Sequence, residues 1–271
     1  MQKVDRDGIK YLMELANINP SKNKGQNFLV DAKISENIVN LLKNNANSKV
    51  LEIGPGLGSL TFHLQNRCNN LTLVDLDENI INYLSLEVND NVKLVNADAL
   101  KYNVSLYEYI ISNIPYNITT ELITYLLINA SNCKQFVFMC QKENFNHFND
   151  TNGSEYGPVS VLIHLLGNIK KVFDVKPGSF VPAPKCVSTV FSVDMFEIDT
   201  NSRKEIVNTF KLTLKLFNNR RKTIFNNLST VIGKEKTEEC LSKLGIDKLL
   251  RPEQISPKQF FELHNLVGDV N

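Results

Sequence analysis

The pattern of apolar and polar residues changes character partway along the chain. As far as residue 193, short apolar runs alternate with segments whose apolar residues recur at helical spacing. The runs predict strands at 49–53, 71–74, 92–95, 109–111 and 135–139, with antiparallel edge strands at 170–175 and 189–193. The intervening segments predict helices at 34–42, 57–64, 79–86 and 119–127, the last capped by Thr119 or Thr120 with Glu121 in its first turn. This alternation is typical of a doubly wound α/β sheet.

After residue 198 the strand pattern stops. Apolar residues repeat at helical spacing through Ile206, Phe210, Leu214 and Phe217, and residues 238–244 and 257–266 predict further helices. We therefore predict two domains, an α/β domain over residues 1–198 and a small all-α domain over 199–271. The second is short enough to need packing against the first.

Composition narrows the class of protein. Hydrophobic residues make up 42% and charged residues 22% of the 271 residues, as in ordinary globular proteins. No apolar run reaches the roughly 18 to 20 residues of a membrane span, and residues 1–10 lack the apolar core of a signal peptide. The five cysteines and four histidines are scattered without the spacing of a disulfide framework or a zinc site. We expect a soluble cytoplasmic protein that uses no metal.

Basic residues cluster although the net charge is only +1. The densest group is Arg220, Arg221 and Lys222, with Lys211 and Lys215 just upstream. Such a group suits contacts to phosphate. It is also compatible with a solvated charged face.

A glycine turn follows the first predicted strand. Gly54, Gly56 and Gly58 come directly after it, and Glu52 lies within it. A dinucleotide fingerprint would place its third glycine at position 59, which is Ser59. The observed spacing is more typical of an S-adenosylmethionine loop than of a nicotinamide site.

Two carboxylates follow the next strands. Asp75 ends the second predicted strand, where a carboxylate can meet ribose hydroxyls, and Asp98 follows the third, where it could accept from an adenine amine. A structural turn with ordinary surface carboxylates is the competing interpretation.

The tetrapeptide Asn113-Ile114-Pro115-Tyr116 follows the fourth predicted strand and so belongs to the same sheet edge. The Asn113 side-chain oxygen and a backbone carbonyl of Ile114 or Pro115 could accept both N–H bonds of an exocyclic amine. Tyr116 could stack on the base. The alternative is a proline turn in which Tyr116 is a core residue.

These motifs together resemble one family over nearly the whole chain, the ribosomal RNA adenine N6-dimethyltransferases, which are related to the erythromycin-resistance methylases. Besides the segments already described, the resemblance rests on Gly25-Gln26-Asn27-Phe28-Leu29, Tyr156-Gly157-Pro158-Val159-Ser160-Val161, Phe180-Val181-Pro182-Ala183-Pro184-Lys185 and Phe217-Asn218-Asn219-Arg220-Arg221-Lys222-Thr223.

The resemblance implies a class I S-adenosylmethionine-dependent, Rossmann-like sheet with a helical RNA-binding domain at the C-terminus. It implies that the cofactor is held by Asn27, Leu29, Gly54, Gly56, Asp75, Asp98 and Asn113. Tyr116 and Phe180 would be the aromatic faces for the target adenine. The implied reaction is dimethylation of two adjacent adenosines near the 3′ end of small-subunit (16S) ribosomal RNA, which aids ribosomal subunit biogenesis. We expect a monomer acting on this RNA in a pre-ribosomal particle, with no membrane partner.

The chain departs from the family's usual residues at two places, and two alternative functions remain open. Lys22-Asn23-Lys24 lacks an aromatic residue usual before this Gly-Gln-Asn-Phe, and Asp75 stands where many members carry glutamate. A resistance-type methylase of large-subunit RNA is one alternative, against which Tyr156-Gly157-Pro158 and Arg220-Arg221-Lys222 count. A non-catalytic RNA-binding factor is the other, and the intact Asn113–Tyr116 motif argues against it.

Overall fold

The computed structural model describes residues 6–15, 18 and 26–269. The predicted features at Lys22, Asn23, Lys24 and Gly25 lie outside these residues. The chain divides into two compact units: one holds the residues up to Phe145 together with Lys170–Met195, and the other holds Asn146–Ile169 and the chain from Phe196 onward. Among the described residues, no helix is long and apolar enough to cross a bilayer.

The first unit is built on the predicted doubly wound sheet. Its strand order is β4-β3-β2-β5-β6-β9-β7, with β2 to β6 parallel and β9 antiparallel to β6. The strand order reverses between β2 and β5, and in such sheets ligands bind beyond the carboxyl ends of the strands at that point. The strands are β2 (Lys49–Ile53), β3 (Asn70–Asp75), β4 (Val92–Asn96), β5 (Tyr109–Asn113), β6 (Gln135–Gln141), β7 (Gly167–Val175) and β9 (Ser188–Met195).

A second, two-stranded sheet lies in the same unit. Strand β1 (Phe28–Leu29) pairs antiparallel with β8 (Phe180–Val181), so that Leu29 is opposite Phe180. This pairing joins two segments that are about 150 residues apart in the sequence. It places the predicted residues Asn27 and Leu29 in the same region as Gly178 and Ser179. Short-range periodicity cannot predict such a pairing.

The helices of the first unit are α1 (Arg6–Leu15), α2 (Ala32–Val39), α3 (Thr61–Leu64), α4 (Glu78–Ser85) and α5 (Thr119–Asn129). Asp31 and Asp77 cap α2 and α4 through their side-chain oxygens. The predicted caps of α5 are wrong, because a short 3-10 turn at Tyr116–Ile118 runs directly into it and Ile118 holds the N-cap position. Glu121 does lie in its first turn.

The second unit is helical, with α7 (Pro158–Leu166), α8 (Thr200–Phe217), α9 (Ile224–Ile232), α10 (Lys234–Lys243) and α11 (Pro257–Val267). Helix α6 (Lys142–Asn149) and strand β7 each have residues in both units. The second unit includes residues 146–169, which the predicted boundary at 198/199 assigned to the first domain. The reason is packing, since Tyr156 and Val161 belong to the same apolar core as Leu212 of α8 and Phe260 of α11.

The helix predicted from the spacing of Ile206, Phe210, Leu214 and Phe217 is confirmed as α8, but these four residues do not share one buried face. Leu214 is 45% exposed, whereas Phe210 and Phe217 are buried. The buried stripe of α8 runs through positions 206, 209/210, 213 and 216/217, and residue 214 falls beside it.

Candidate active site

A cleft of about 1460 Å³ opens at the carboxyl ends of the parallel strands in the first unit. Most of the predicted cofactor and substrate residues line this one cleft, although they come from segments far apart in the chain. Its lining includes Asn27, Leu29, Gly54, Gly56, Asp75, Asp98, Asn113, Ile114, Pro115 and Tyr116.

The glycine turn gives the cleft a wall made of backbone. Gly54 and Gly56 have φ angles of +65° and +54°, which favour glycine. A side chain at Gly56 would also place its Cβ 2.9 Å from Cδ1 of Phe28. At Gly54 a Cβ would lie 3.7 Å from Cγ of Pro115. The turn and the Asn113–Tyr116 motif therefore face each other across a gap of ordinary van der Waals size.

Glu52 lies at the base of this wall and is 1% exposed. Thr61 of α3 donates its hydroxyl to Glu52 Oε2 at 2.7 Å, which ties the strand before the turn to the helix after it. Burial, opposed by the Thr61 hydrogen bond and aided by the charge of Asp75, raises the pKa of Glu52 to about 8. Near neutral pH this carboxyl is mostly protonated.

Asp75 and Asp98 present partly exposed carboxylates to the cleft. One oxygen of Asp75 accepts from the Asp77 backbone N–H at 2.9 Å. One oxygen of Asp98 accepts from the Leu100 N–H at 2.9 Å, and the other is 3.6 Å from Nζ of Lys101. These turns hold both side chains in place at the ends of β3 and β4.

Asn113 is oriented by the segment before β1. Its Nδ2 donates to the backbone carbonyl of Asn27 at 3.2 Å. The donor side of the amide is thus engaged, and Oδ1 is its acceptor. The N–H of Ile114 is also engaged, donating to the Met139 carbonyl at 3.0 Å.

The motif offers one favoured backbone acceptor. The Pro115 carbonyl already accepts from the Ile118 N–H at 3.2 Å, and it shares the one hydrogen of the Thr119 hydroxyl with the Tyr116 carbonyl, each oxygen at 3.3 Å. Of the two carbonyls considered from sequence, that of Ile114 is therefore the better partner for a ligand.

Tyr116 is half-buried and lines the cleft. Its hydroxyl lies 2.7 Å from Oγ of Ser188, which fixes the ring at one end. Burial raises the pKa of Tyr116 to about 12, so the phenol stays neutral. A neutral ring held this way can act as a stacking face and not as an ionised base.

Phe180 departs from the prediction. It is 1% exposed, belongs to the apolar core of the first unit, and is not among the residues that line the cleft. The pairing of β1 with β8 places it opposite Leu29 and turns it inward. The structure therefore does not bring it to the cleft beside Tyr116.

Several cleft residues were not predicted. Leu76 lines the cleft and is 69% exposed. Gln26, and Ile9 and Leu12 of α1, also line it. The position of Leu76 directly after Asp75 was a signal that could have identified it, whereas α1 has no local motif that points to a site.

In the second unit the basic residues separate into two kinds. Arg221 and Lys222 are exposed. Arg220 is partly buried, donates to the carbonyls of Gly153 and Tyr156 at 3.3 and 2.8 Å, and has its guanidinium carbon 5.6 Å from the Phe217 ring centroid. The guanidinium of Arg220, which was predicted to contact phosphate, is therefore already engaged by partners within the protein.

One group of potential metal ligands occurs among the described residues, although sequence spacing predicted none. Glu205, His264 and Asp269 have ligand atoms within 4.8 Å of one another. Nε2 of the buried His264 is 3.1 Å from Glu205 Oε2, and Asn208 Nδ2 donates to Asp269 Oδ1 at 2.7 Å. These hydrogen bonds give the three residues a structural role, because they connect α8 to α11 and to the residues just after it.

Known proteins resemble the chain over most of its length. Residues 17–269 match the family model described as Ribosomal RNA adenine dimethylase. Ribosomal RNA small subunit methyltransferase A of Clostridium botulinum is 35% identical over 260 residues, covering 92% of this chain and 94% of that protein.

Two solved structures share the fold. A dimethyladenosine transferase from Plasmodium falciparum has a TM-score of 0.77 at 23% identity, covering 90% of this chain and 99% of its own. The 23S rRNA methyltransferase ErmE has a TM-score of 0.68 at 22% identity, covering 89% and 99%. At these identities both likenesses concern the fold alone.

Proposed function

The chain belongs to the ribosomal RNA adenine dimethylase family, and on that premise we propose that it dimethylates the N6 amines of two adjacent adenosines near the 3′ end of small-subunit (16S) ribosomal RNA, using S-adenosylmethionine. This activity would aid ribosomal subunit biogenesis. Membership covers residues 17–269, so the proposed enzyme includes both units.

One observation carries the proposal: the glycine turn and the Asn113–Tyr116 motif line one cleft, and they are close enough that a Cβ added at Gly54 would lie 3.7 Å from Cγ of Pro115. A methyl donor held by the turn would therefore lie beside an amine held by the motif. Bringing two reactants together in a fixed geometry is a large part of catalysis for a transfer of this kind.

The residues of the cleft fit S-adenosylmethionine. Gly54 and Gly56 adopt positive φ angles, and a Cβ at Gly56 would collide with the Phe28 ring, so the turn presents backbone without side chains to a ligand. We assign Asp75 to the ribose hydroxyls, Asp98 to the adenine amine of the cofactor, and Asn27 and Leu29 to the facing wall. When bound, the cofactor supplies an electrophilic methyl group.

The side chain of Asn113 would address the target amine. Its Nδ2 is engaged by the Asn27 carbonyl, so Oδ1 can accept one N–H of the adenine amine. The Ile114 carbonyl is the favoured acceptor for the second N–H, because the Pro115 carbonyl already accepts from the Ile118 N–H. Two acceptors hold the amine in place and direct its lone pair out of the ring system.

Tyr116 would stack on the target base and keep water from it. The base must leave its own stack to reach the cleft, and an aromatic face offsets part of that cost. Phe180 was predicted as a second face; for that role its ring would have to leave the core in which it is buried.

Contacts to the RNA outside the cleft are assigned to Arg221 and Lys222, both exposed. We propose a monomer that acts in the cytoplasm on RNA within a pre-ribosomal particle. No metal is needed for this chemistry.

The test is to incubate the protein with labelled S-adenosylmethionine and with each unmethylated ribosomal subunit, then map the modified nucleotides. We expect two adjacent dimethyladenosines near the 3′ end of the small-subunit RNA. Label confined to the large subunit would favour the resistance-type alternative, and an absence of label on both would favour a non-catalytic RNA-binding factor.

A further inference from the structure

Tyr116 carries a hydroxyl group that its proposed role as a stacking face does not use. A phenylalanine ring would offer the same kind of face to a base. The Tyr116 hydroxyl is hydrogen-bonded to Oγ of Ser188, and the two oxygens are 2.7 Å apart. Ser188 is fully buried and is not among the residues that line the cleft. The Tyr116 side chain therefore connects the cleft to a buried point of the seven-stranded sheet.

Ser188 has a fixed position because it begins strand β9. It lies opposite Gln141 in the antiparallel pairing of β9 with β6. Successive side chains of a strand point to opposite faces, so the Thr189 side chain projects from the other face of the sheet. There the Thr189 hydroxyl donates to Asp174 Oδ1 of β7 at 2.7 Å. The start of β9 is thus connected to strands on both of its sides.

The backbone of Tyr116 is fixed independently of Ser188. Tyr116 begins the 3-10 turn that runs directly into α5. Two residues earlier, the Ile114 N–H donates to the Met139 carbonyl of β6 at 3.0 Å. The side chain of Tyr116 is therefore held at its backbone by α5 and β6 and at its hydroxyl by β9. A ring held at both ends has little freedom to turn away from the cleft.

The two hydroxyls depend on each other. In the part of the chain that the structure describes, each has only the other as a hydrogen-bond partner. Burial, opposed by the Ser188 hydrogen bond and aided by the nearby thiols of Cys186 and Cys140, raises the pKa of Tyr116 to about 12. The hydroxyl end of the ring is therefore poorly hydrated. Removal of either hydroxyl would leave the other without a partner in this environment.

We propose that Ser188 is a positioning residue for methyl transfer, which holds the Tyr116 hydroxyl so that the ring is in place before the target adenine enters the cleft. The inference rests on the proposed function, since Ser188 acts through the stacking face assigned there. A face that is already in place reduces the rearrangement needed to bring the amine to the methyl donor.

The experiment measures single-turnover methyl transfer by the full chain to unmethylated small ribosomal subunits. Ser188→Ala removes the hydroxyl that holds Tyr116. Ser192→Ala is the matched control, because Ser192 is also buried and lies four residues further along β9, on the same face of the strand. We expect the rate constant at saturating RNA to fall about tenfold for Ser188→Ala and to stay within about twofold of the wild type for Ser192→Ala. Equal rate constants for the two variants would overturn the proposal.

A double-mutant cycle tests whether Ser188 acts through Tyr116. Tyr116→Phe keeps the ring, removes its hydroxyl and leaves β9 unchanged, so we expect a loss of rate similar to that of Ser188→Ala. Adding Ser188→Ala to Tyr116→Phe should change the rate by less than about twofold, because the contact is already absent. Losses that multiply in the double variant would contradict the proposal. So would a wild-type rate for Tyr116→Phe, which decides the matter even where Ser188→Ala does not fold in urea-unfolding controls.

Binding measurements separate positioning from a general defect. Affinities for S-adenosylmethionine and for small subunits should be unchanged in Ser188→Ala, because the substitution alters neither the glycine turn nor the exposed Arg221 and Lys222. A loss of affinity with a normal rate constant would contradict the positioning role. If the wild type methylates small subunits while Ser188→Ala matches its control, the positioning inference alone is wrong. Failure of the wild type to methylate them would remove the proposed function, and this inference with it.

Discussion

The cleft of the first unit and the basic corner of the second, Arg220–Lys222, are organised in opposite ways. In the cleft, residues from separate segments of the chain converge: Asn27, Gly54, Asp75, Asp98 and Asn113 all line one space. In the corner, three consecutive residues have different surroundings. Arg220 donates hydrogen bonds to carbonyls within the protein, while Arg221 and Lys222 are exposed to solvent.

The contrast shows where a linear motif can be trusted. A parallel sheet sends the carboxyl ends of its strands to one edge, so residues just after strands meet whatever their distance in sequence. No such rule applies to neighbouring cationic residues at the end of a helix. Their roles depend on which carbonyls another segment happens to present.

The largest effect is expected at Asn113. Asn113→Ala removes the side-chain acceptor for the target amine, and loss of one preorganised polar group of this kind lowers the rate of the chemical step by roughly 10² to 10³-fold. Single-turnover methyl transfer to small subunits measures it, with cofactor affinity measured separately. Asn129→Ala is the matched control, because its amide bonds only to the Tyr125 carbonyl on the surface of α5. A rate within a few-fold of the wild type would mean that Asn113 does not direct the amine.

The next prediction concerns the free energy of unfolding and tests whether Glu52, buried beside the cleft, is protonated in the folded protein. Burial, aided by the Asp75 charge and opposed by the Thr61 hydrogen bond, raises the pKa of Glu52 to about 8 from the ordinary 4.5. The folded state then holds this proton more tightly than the unfolded state does. The stability that Glu52 contributes is complete below pH 4.5 and is lost as the pH rises through about 8, by at most about 1.4 kcal/mol per pH unit.

Glu52→Gln removes this titration with little change of shape. We expect denaturant unfolding of the variant to show a shallower fall in stability between pH 5 and 8 than the wild type shows. Glu108→Gln is the control of opposite sign, because hydrogen bonds from Lys134 and from the Lys49 backbone lower the pKa of Glu108. Identical pH profiles for the wild type and Glu52→Gln would show that Glu52 is ionised when folded.

The sheet and the outline of the cleft could be predicted from the sequence, because each depends on local periodicity and on one topological rule. Strand β2 was predicted to the residue and the other six strands of its sheet to within three residues at either end, whereas the short strands β1 and β8 were not predicted. Helices α1, α6 and α9 were not predicted, and of the helix expected at 57–64 only α3 (Thr61–Leu64) is present. Residues 57–60 belong instead to the end of the glycine turn, in which Gly58 has a φ of +85°.

What could not be predicted depends on contacts between distant segments. The inward position of Phe180 follows from its pairing with Leu29. The guanidinium of Arg220 is engaged because it donates to the carbonyl of Tyr156, which is 64 residues away in the sequence. The tie between Glu205 and His264 joins residues 59 apart, which no search for short ligand spacing would find. In each case the chemistry of the residue was evident and its partner was not.

A moderate effect is expected at Asp98. Asp98→Asn keeps the shape of the side chain but removes its charge, and a hydrogen bond to a charged group is worth about 1.5 to 3 kcal/mol. Affinity for S-adenosylmethionine should therefore fall at least tenfold, as measured by calorimetric titration. Asp90→Asn changes an exposed aspartate that does not line the cleft and should leave affinity unchanged. Equal affinities for the two variants would separate Asp98 from the cofactor site.

The smallest effect separates the two neighbouring arginines without any RNA present. Arg220→Ala removes two hydrogen bonds to carbonyls and the contact with the Phe217 ring, so the free energy of unfolding should fall by about 1 to 2 kcal/mol. Arg221→Ala removes an exposed side chain and should change it by less than about 0.5 kcal/mol. Urea unfolding of both variants gives the comparison directly. Equal free energies of unfolding for the two variants would mean that Arg220 and Arg221 contribute alike to stability. The proposed difference between the basic corner and the cleft would then be wrong.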